Sequence, residues 1–350
     1  MTVARITLRP GHEISRVIRG GWQLAGGHGQ IDRANAVEDM VAFADAGITT
    51  FDCADIYTGV EEMIGAFRAD YAQRRGAEAL ARIKVHTKLV PDLTRLADVD
   101  RAYVRGIVET SIRRLRAERL DLVQFHWWDY AAPRYIDVMG WMDEMRREGL
   151  IANVSATNFD SAKTGEILAS GVRLTSMQLQ YSLLDARPER QMVDLARAND
   201  IWLLCYGTVA GGFLGDRWLG QREPQEPLEN RSLTKYKLII DDFGGWDLFQ
   251  ALLATLRRIA DRHSSDIATV ASAAMLRKPG VAAVIVGARN RSHLARNVAI
   301  SELALTPQDL AEIATIQAQG RVPEGDVYTL ERDRDGRHGS IMKYNLNAAS

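Results

Sequence analysis

Two hydrophobic patterns alternate along this chain. Short apolar, β-branched runs read as buried strands. They are separated by longer stretches whose apolar residues recur three and four apart, as on one face of a helix. The runs fall at 17–24, 49–53, 83–89, 120–127, 151–157, 175–183, 201–208 and 281–287. Helical spacing is predicted over 32–46, 61–75, 100–117, 133–148, 160–170, 187–199, 247–263, 266–277 and 292–302. The punctuation agrees: Asp32 is placed to cap a helix start, Gly47 and Gly76 to stop one, and Pro133 and Gly149 to bracket another. A regular strand–helix alternation implies a parallel sheet with crossover helices, and eight units imply closure into a (β/α)8 TIM barrel. A doubly wound open sheet is the rival α/β arrangement. The reading is a single domain over 1–350, with its core at about 17–302.

The remaining segments are read as coverings of this body. Residues before Ser15 are polar and broken by Pro10-Gly11, which suits a small hairpin over one end. The stretch 209–245 carries glycines, prolines and mixed charges. It is too long for a simple connection and is read as a lid or binding loop. The mixed-charge extension 320–350 is expected to pack over the barrel mouth. The glycine-rich AGGHGQ (25–30) does not match the GxGxxG fingerprint and is read as a flexible loop.

Composition narrows the class. Apolar residues make up 46% of the 350, enough for a large core, and the net charge of -1 gives no sign of a nucleic-acid or acidic-membrane partner. Cys53 and Cys205 each fall inside a predicted strand, so they are expected as buried thiols in a reducing cytosol. No apolar run approaches a membrane span, and the expectation is a soluble, cytoplasmic protein with an undetermined oligomeric state.

Asp52, Lys88 and His126 close three successive predicted strands, and Tyr57 lies in the loop after the first. In a parallel barrel these positions meet at one end, where active sites of this fold sit. A buried ammonium needs a carboxylate, which Asp52 can supply to Lys88. A tyrosine beside that lysine is expected to have its pKa lowered and to donate a proton to a developing alkoxide, with His126 orienting the oxygen. His86, on the same face as Lys88, is read as a core histidine. HxH, HExxH and CxxC are absent, which weighs against metal hydrolysis. A Schiff base on Lys88 is a further possibility. Trp22, Trp127 and Trp128 fall at the mouth. Neighbouring side chains on a strand diverge, so at least one of the last pair should face it and favour aromatic or extended aliphatic ligands over small polar ones.

The ordered set FDCADIY, VHTKL, LDLVQFHWWD, SATNF, QLQYSLLD, CYGTVAGGFL and VIVGARNRSHLARN resembles the aldo-keto reductases over roughly 17–300. The resemblance implies a barrel that binds NADPH, with NADH less favoured, and reduces a small-molecule carbonyl compound. It carries the family's Asp, Tyr, Lys and His onto Asp52, Tyr57, Lys88 and His126. It also implies Asn158, after Thr157, and Gln178 at the nicotinamide carboxamide, and Tyr206 stacked on the ring. Gly207 and Thr208 depart from the family's usual serine and proline. Amides of Ala210 to Leu214, including Gly211 and Gly212, are then expected to cradle phosphate. Gly287, Arg289, Arg291, His293 and Asn297 are expected on the adenosine side. A cofactor-binding regulatory subunit on the same barrel is the alternative.

Overall fold

The structure, a computed structural model, describes residues 3–25 and 32–342. Ten strands are present among them: β1 (Arg5–Arg9), β2 (His12–Ser15), β3 (Val17–Gly20), β4 (Thr50–Asp52), β5 (Lys84–Leu89), β6 (Leu122–Phe125), β7 (Val154–Thr157), β8 (Ser176–Gln180), β9 (Trp202–Tyr206) and β10 (Val281–Gly287). Strands β3 to β10 close into a parallel barrel in chain order, with β10 pairing back onto β3. The expected (β/α)8 barrel is therefore the fold, and the open sheet is excluded. The antiparallel pair β1–β2 forms the expected hairpin, and Leu8 and Ile14 pack with Ile18, Leu204, Ala282 and Ala283 to seal the N-terminal end.

The helices of the barrel wall are α1 (Arg33–Asp45), α2 (Val60–Ala81), α3 (Arg101–Leu115), α4 (Tyr135–Arg147), α5 (Ser161–Ala169), α6 (Met192–Ala198), α7 (Arg231–Phe243), α8 (Trp246–Arg262), α9 (Ile267–Met275) and α10 (Leu294–Glu302). Local chemistry starts them where sequence indicates. Asp32, Asp100, Asp160 and Asp266 each accept backbone N–H groups at a helix N-terminus. Two further helices, α11 (Pro307–Gln317) and α12 (Thr329–Arg332), follow the barrel. No helix among the described residues is long and apolar enough to cross a membrane. Both cysteines are buried free thiols, as expected.

The first barrel strand ends at Gly20 rather than 24, because the chain turns there: Gly21 N donates to Asp52 O at 2.7 Å and Trp22–Leu24 forms a 3-10 turn. A Cβ at Gly21 would lie 2.7 Å from that carbonyl, so the close approach requires glycine. Gly76 stops a helix as expected: its backbone is non-helical (φ 86°, ψ 171°), and the rest of α2, up to Ala81, is a second helical stretch beyond that kink. The segment 209–245 is no open loop, since it contains α7, capped by Asn230, whose apolar face buries Leu233, Tyr236, Ile239, Ile240 and Phe243. Finally, α11 has a full capping box between Thr306 and Asp309 with proline in its first turn, signals the sequence reading passed over. Most of the AGGHGQ loop and the last eight residues lie outside the described residues.

Candidate active site

Parallel register brings the strand ends together: Asp52 pairs with His86 across β4–β5, and Lys88 with Gln124 across β5–β6. Lys88 Nζ donates to Asp52 Oδ2 at 2.7 Å and to Cys53 O at 2.8 Å. Gln124 Nε2 and Gln178 Nε2 donate to Asp52 Oδ1 at 2.9 and 2.6 Å. The carboxylate is thereby saturated, as a buried charge must be. Burial alone would lower the lysine's pKa, but Asp52, Tyr57 and Cys53 together outweigh it and Lys88 is pushed up to about 12. The pairing with Asp52 keeps the ammonium protonated, which weighs against the free amine that a Schiff base on Lys88 needs.

Tyr57 follows in a turn fixed by Asp55. That carboxyl accepts Ile56 N at 2.9 Å and Val90 N at 3.2 Å. The Lys88 ammonium lies 5.1 Å from the Tyr57 ring centroid. The expected lowering of the tyrosine pKa does not prevail in the protein alone. Burial raises it above its ordinary 10, and Lys88 reverses only part of that rise.

His126 follows β6. Its Nδ1 lies 3.4 Å from Thr157 O, so this nitrogen carries the proton and donates, leaving Nε2 as an acceptor. Burial first, then the nearby Arg332 cation, lower its pKa to about 3, so the ring is neutral at physiological pH. His86 and His12 form a separate buried pair at the hairpin end, Nε2 to Nε2 at 3.0 Å.

The three tryptophans separate. Trp22 is 38% exposed and meets the Tyr57 ring edge-on at 5.2 Å. Trp128 stands edge-on to His126 at 4.6 Å and donates to Pro91 O. Trp127 is fully buried against Phe125 and donates to Ala132 O, so its place is the core and not the pocket.

Among the residues expected at the cofactor, Asn158 and Tyr206 meet: the Tyr206 hydroxyl donates to Asn158 Oδ1 at 2.8 Å. Asn158 has a left-handed backbone, φ 62°, a conformation costing a non-glycine residue about 1 kcal/mol or more. Gln178 is turned to Asp52 through one amide N–H, and its Oε1 accepts the Thr157 hydroxyl at 3.3 Å. The phosphate cradle is also corrected. Amides of Ala210, Gly212, Phe213 and Leu214 donate to carbonyls within their own loop. The Leu214 side chain is fully buried. Gly207 and Gly211 have positive φ and lie under α7, where a Cβ would come within 2.3 and 2.8 Å of Tyr236. Their glycines answer to that helix. Gly287 lies beneath the Gln23 amide. Arg289 and His293 are exposed, whereas Arg291 reaches Asp39 on α1 at 3.6 Å. Asn297 is buried with an Nδ2 that has no partner.

Sequence reasoning missed several groups around the mouth. Gln124, which donates to Asp52, is one of them. The tail supplies Tyr328, whose ring is 5.8 Å edge-on from His126, together with Glu331 and Arg332. Lys235 of α7 lies 5.4 Å from the Tyr206 ring centroid and 3.8 Å from Glu331. Only the mixed charge of the tail hinted at these.

Comparison with known proteins bears on what this site is. An aldo-keto reductase of Bacillus subtilis is 25% identical over 312 residues, covering 87% of this chain and 91% of that one. Flagellar radial spoke protein 5 of Chlamydomonas reinhardtii is 25% identical over 294 residues, and the match spans 67% of this chain but only 55% of that longer protein. Among solved structures, a glycerol dehydrogenase from Gluconobacter oxydans superposes with a TM-score of 0.75 at 22% identity, covering 93% of this chain and 98% of that one. The sequence model of the Aldo/keto reductase family matches residues 16–318, the barrel and α11 together. With the barrel closed, and with the acid, lysine, tyrosine and histidine of the sequence pattern at its C-terminal face, this chain belongs to the aldo/keto reductase family.

Proposed function

We propose that the protein is an NADPH-dependent reductase of aldehydes or ketones in which Tyr57 is the proton donor. The reading rests on one relationship above all: Lys88 is held charged by Asp52 beside the ring of Tyr57. Two candidate acids face the mouth, and their protonation decides between them. His126, with a pKa of about 3, holds no transferable proton at neutral pH, whereas Tyr57, above 10, is fully protonated. As the proton leaves for the substrate oxygen, the Lys88 charge stabilises the tyrosinate that forms. Asp52 keeps Lys88 charged and fixed, and the Gln124 and Gln178 amides keep Asp52 in place. His126 presents Nε2 as an acceptor, suited to orienting the hydroxyl of the alcohol form.

A nicotinamide cofactor, which the family generally uses, would supply the hydride to the carbonyl carbon when bound. Residues at both ends of its expected path suit it. The aromatic face of Tyr206 and the amide of Asn158 offer a seat for the ring end, and the unpartnered buried amide of Asn297 offers one for adenine. The inner loop amides are committed internally, so phosphate recognition falls to the arginines near the start of α10. Incubation with NADPH and a panel of aldehydes, followed by cofactor consumption, tests the proposal. Turnover of at least one carbonyl is expected. Tight cofactor binding with no turnover of any would favour the regulatory subunit instead.

A further inference from the structure

Glu331 and Arg332, adjacent on α12, reach to opposite sides of the barrel mouth. Glu331 is fully buried and accepts Arg187 Nη1 and Nη2, each at 2.9 Å. Arg187 in turn donates to Asp185 at 2.9 and 2.7 Å, which anchors the tail to the loop after β8. Arg332 points the other way. Its guanidinium lies 4.0 Å from the Tyr130 ring centroid, and Nη1 donates to the main-chain carbonyls of both Trp127 and Trp128. Nη2 donates to Asn158 O at 2.9 Å.

We propose that Arg332 is a positioning residue of the active site, fixing the backbone after His126 and the backbone of Asn158 relative to each other. Three observations carry this. The carbonyls it binds belong to the two residues that directly follow His126 and to Asn158 itself, so one planar group spans the ends of β6 and β7. A guanidinium can serve separate carbonyls at once in a fixed fork, which a lysine ammonium cannot reproduce. Asn158 also has a left-handed backbone, which needs its surroundings to hold it, and its side chain carries the Tyr206 contact. A shift of its backbone therefore moves Tyr206 as well. Arg332 forms no ion pair with a carboxylate among the described residues, so its donors serve geometry and not charge pairing. The C-terminal extension thereby becomes a working part of the barrel, inserted from 174 to 205 residues downstream of the carbonyls that it ties together.

The kinetic arm of the test rests on the reductase reading; a binding arm does not. Arg332→Ala, Arg332→Lys and, as a control on a neighbouring exposed tail cation, Arg334→Ala are compared with wild type. Arg332→Ala should lower kcat roughly ten- to a hundredfold, the range expected when reacting groups move by about an ångström. KM for the aldehyde and Kd for 2′,5′-ADP should change less than about threefold. Arg332→Lys should recover part of the loss, ethylguanidinium added to Arg332→Ala should recover more, and Arg334→Ala should stay near wild type. The binding arm reads the fluorescence of protein-bound NADPH, whose nicotinamide emission should revert towards that of free cofactor in Arg332→Ala. Thermal melting and circular dichroism identify unfolded variants. If Arg332→Ala does not fold, Arg332→Lys and its fluorescence decide the matter. Unchanged kcat, or an activity loss that only follows the unfolded fraction with normal NADPH emission, overturns the proposal. If wild type turns over no carbonyl, the reductase reading fails alone, and NADPH emission equal in wild type and Arg332→Ala would overturn this one.

Discussion

Lys88 Nζ lies 2.7 Å from Asp52 Oδ2, and both side chains are less than a tenth exposed. Desolvating two charges costs several kcal/mol apiece, so the pair persists only because each charge has further partners. Lys88→Met leaves Asp52 buried without its counter-charge and should destabilise the fold by about 3–5 kcal/mol. Adding Asp52→Asn should recover much of that loss. Lys278, paired with Glu189 on the surface, is the control, with about 0–1 kcal/mol expected for Lys278→Met. Urea midpoints for the four proteins check this; equal costs at the two lysines would refute it.

The paired imidazoles at the hairpin end make the fold sensitive to acid. Burial, then Lys84, lower the pKa of His12 from 6.5 to about 4, and His86 is held low by burial and by His12. Between pH 6.5 and 4 the unfolded chain therefore binds protons that the folded chain refuses. Stability is full above 6.5 and falls as pH drops to 4, by about 3 kcal/mol for His12 alone. Unfolding free energies measured across this window should show the slope, and His12→Gln should flatten it. A wild-type curve already flat from pH 7 to 4 would disprove the assignment.

Cofactor choice should turn on two arginines and one acid. Arg289→Ala with Arg291→Ala should raise the Kd of NADPH while barely changing that of NADH, since only the former carries a 2′-phosphate. Asp39, 3.6 Å from Arg291, competes for the same guanidinium. Asp39→Asn should accordingly tighten NADPH by a few-fold, since the guanidinium it releases is itself exposed. Fluorescence titrations with both cofactors read the difference; equal losses for both in the double variant would remove the phosphate role.

The tryptophans should behave differently from one another. Trp127 is fully buried, and Trp127→Ala should cost about 3–5 kcal/mol of stability. Trp22→Ala and Trp128→Ala should instead raise KM for benzaldehyde-type substrates well above any effect on glyceraldehyde-sized ones. A uniform change across both substrate classes would assign these two rings to the framework as well.

Much of this was legible because strands carry their information locally. The apolar runs gave all eight barrel strands, and a carboxylate or ammonium ending such a run, as at Asp52 and Lys88, marks itself by being out of place. What was not legible depends on contacts far apart in sequence. Gly211, expected in a phosphate cradle, and Gly207, a departure from the family's serine, both lie against Tyr236 of α7, a contact no local pattern announces. The direction of the Tyr57 shift depends on how much burial opposes Lys88, which no spacing reveals. Arg332 was one charge in a mixed tail, and its partners are carbonyls, which have no sequence signature. The starts of α7 and α11, by contrast, are written locally in the caps Asn230 and Thr306, although glycines and prolines crowd the segment ahead of α7.

The central claim, that Tyr57 delivers the proton, is tested most directly by the single-turnover and steady-state kinetics of Tyr57→Phe. The substitution removes one hydroxyl and leaves the ring against Trp22. Loss of a general acid should reduce kcat by roughly 10²–10⁴-fold, with the Kd of NADPH nearly unchanged. A Tyr57→Phe enzyme that reduces every tested carbonyl at close to the wild-type kcat would contradict the account.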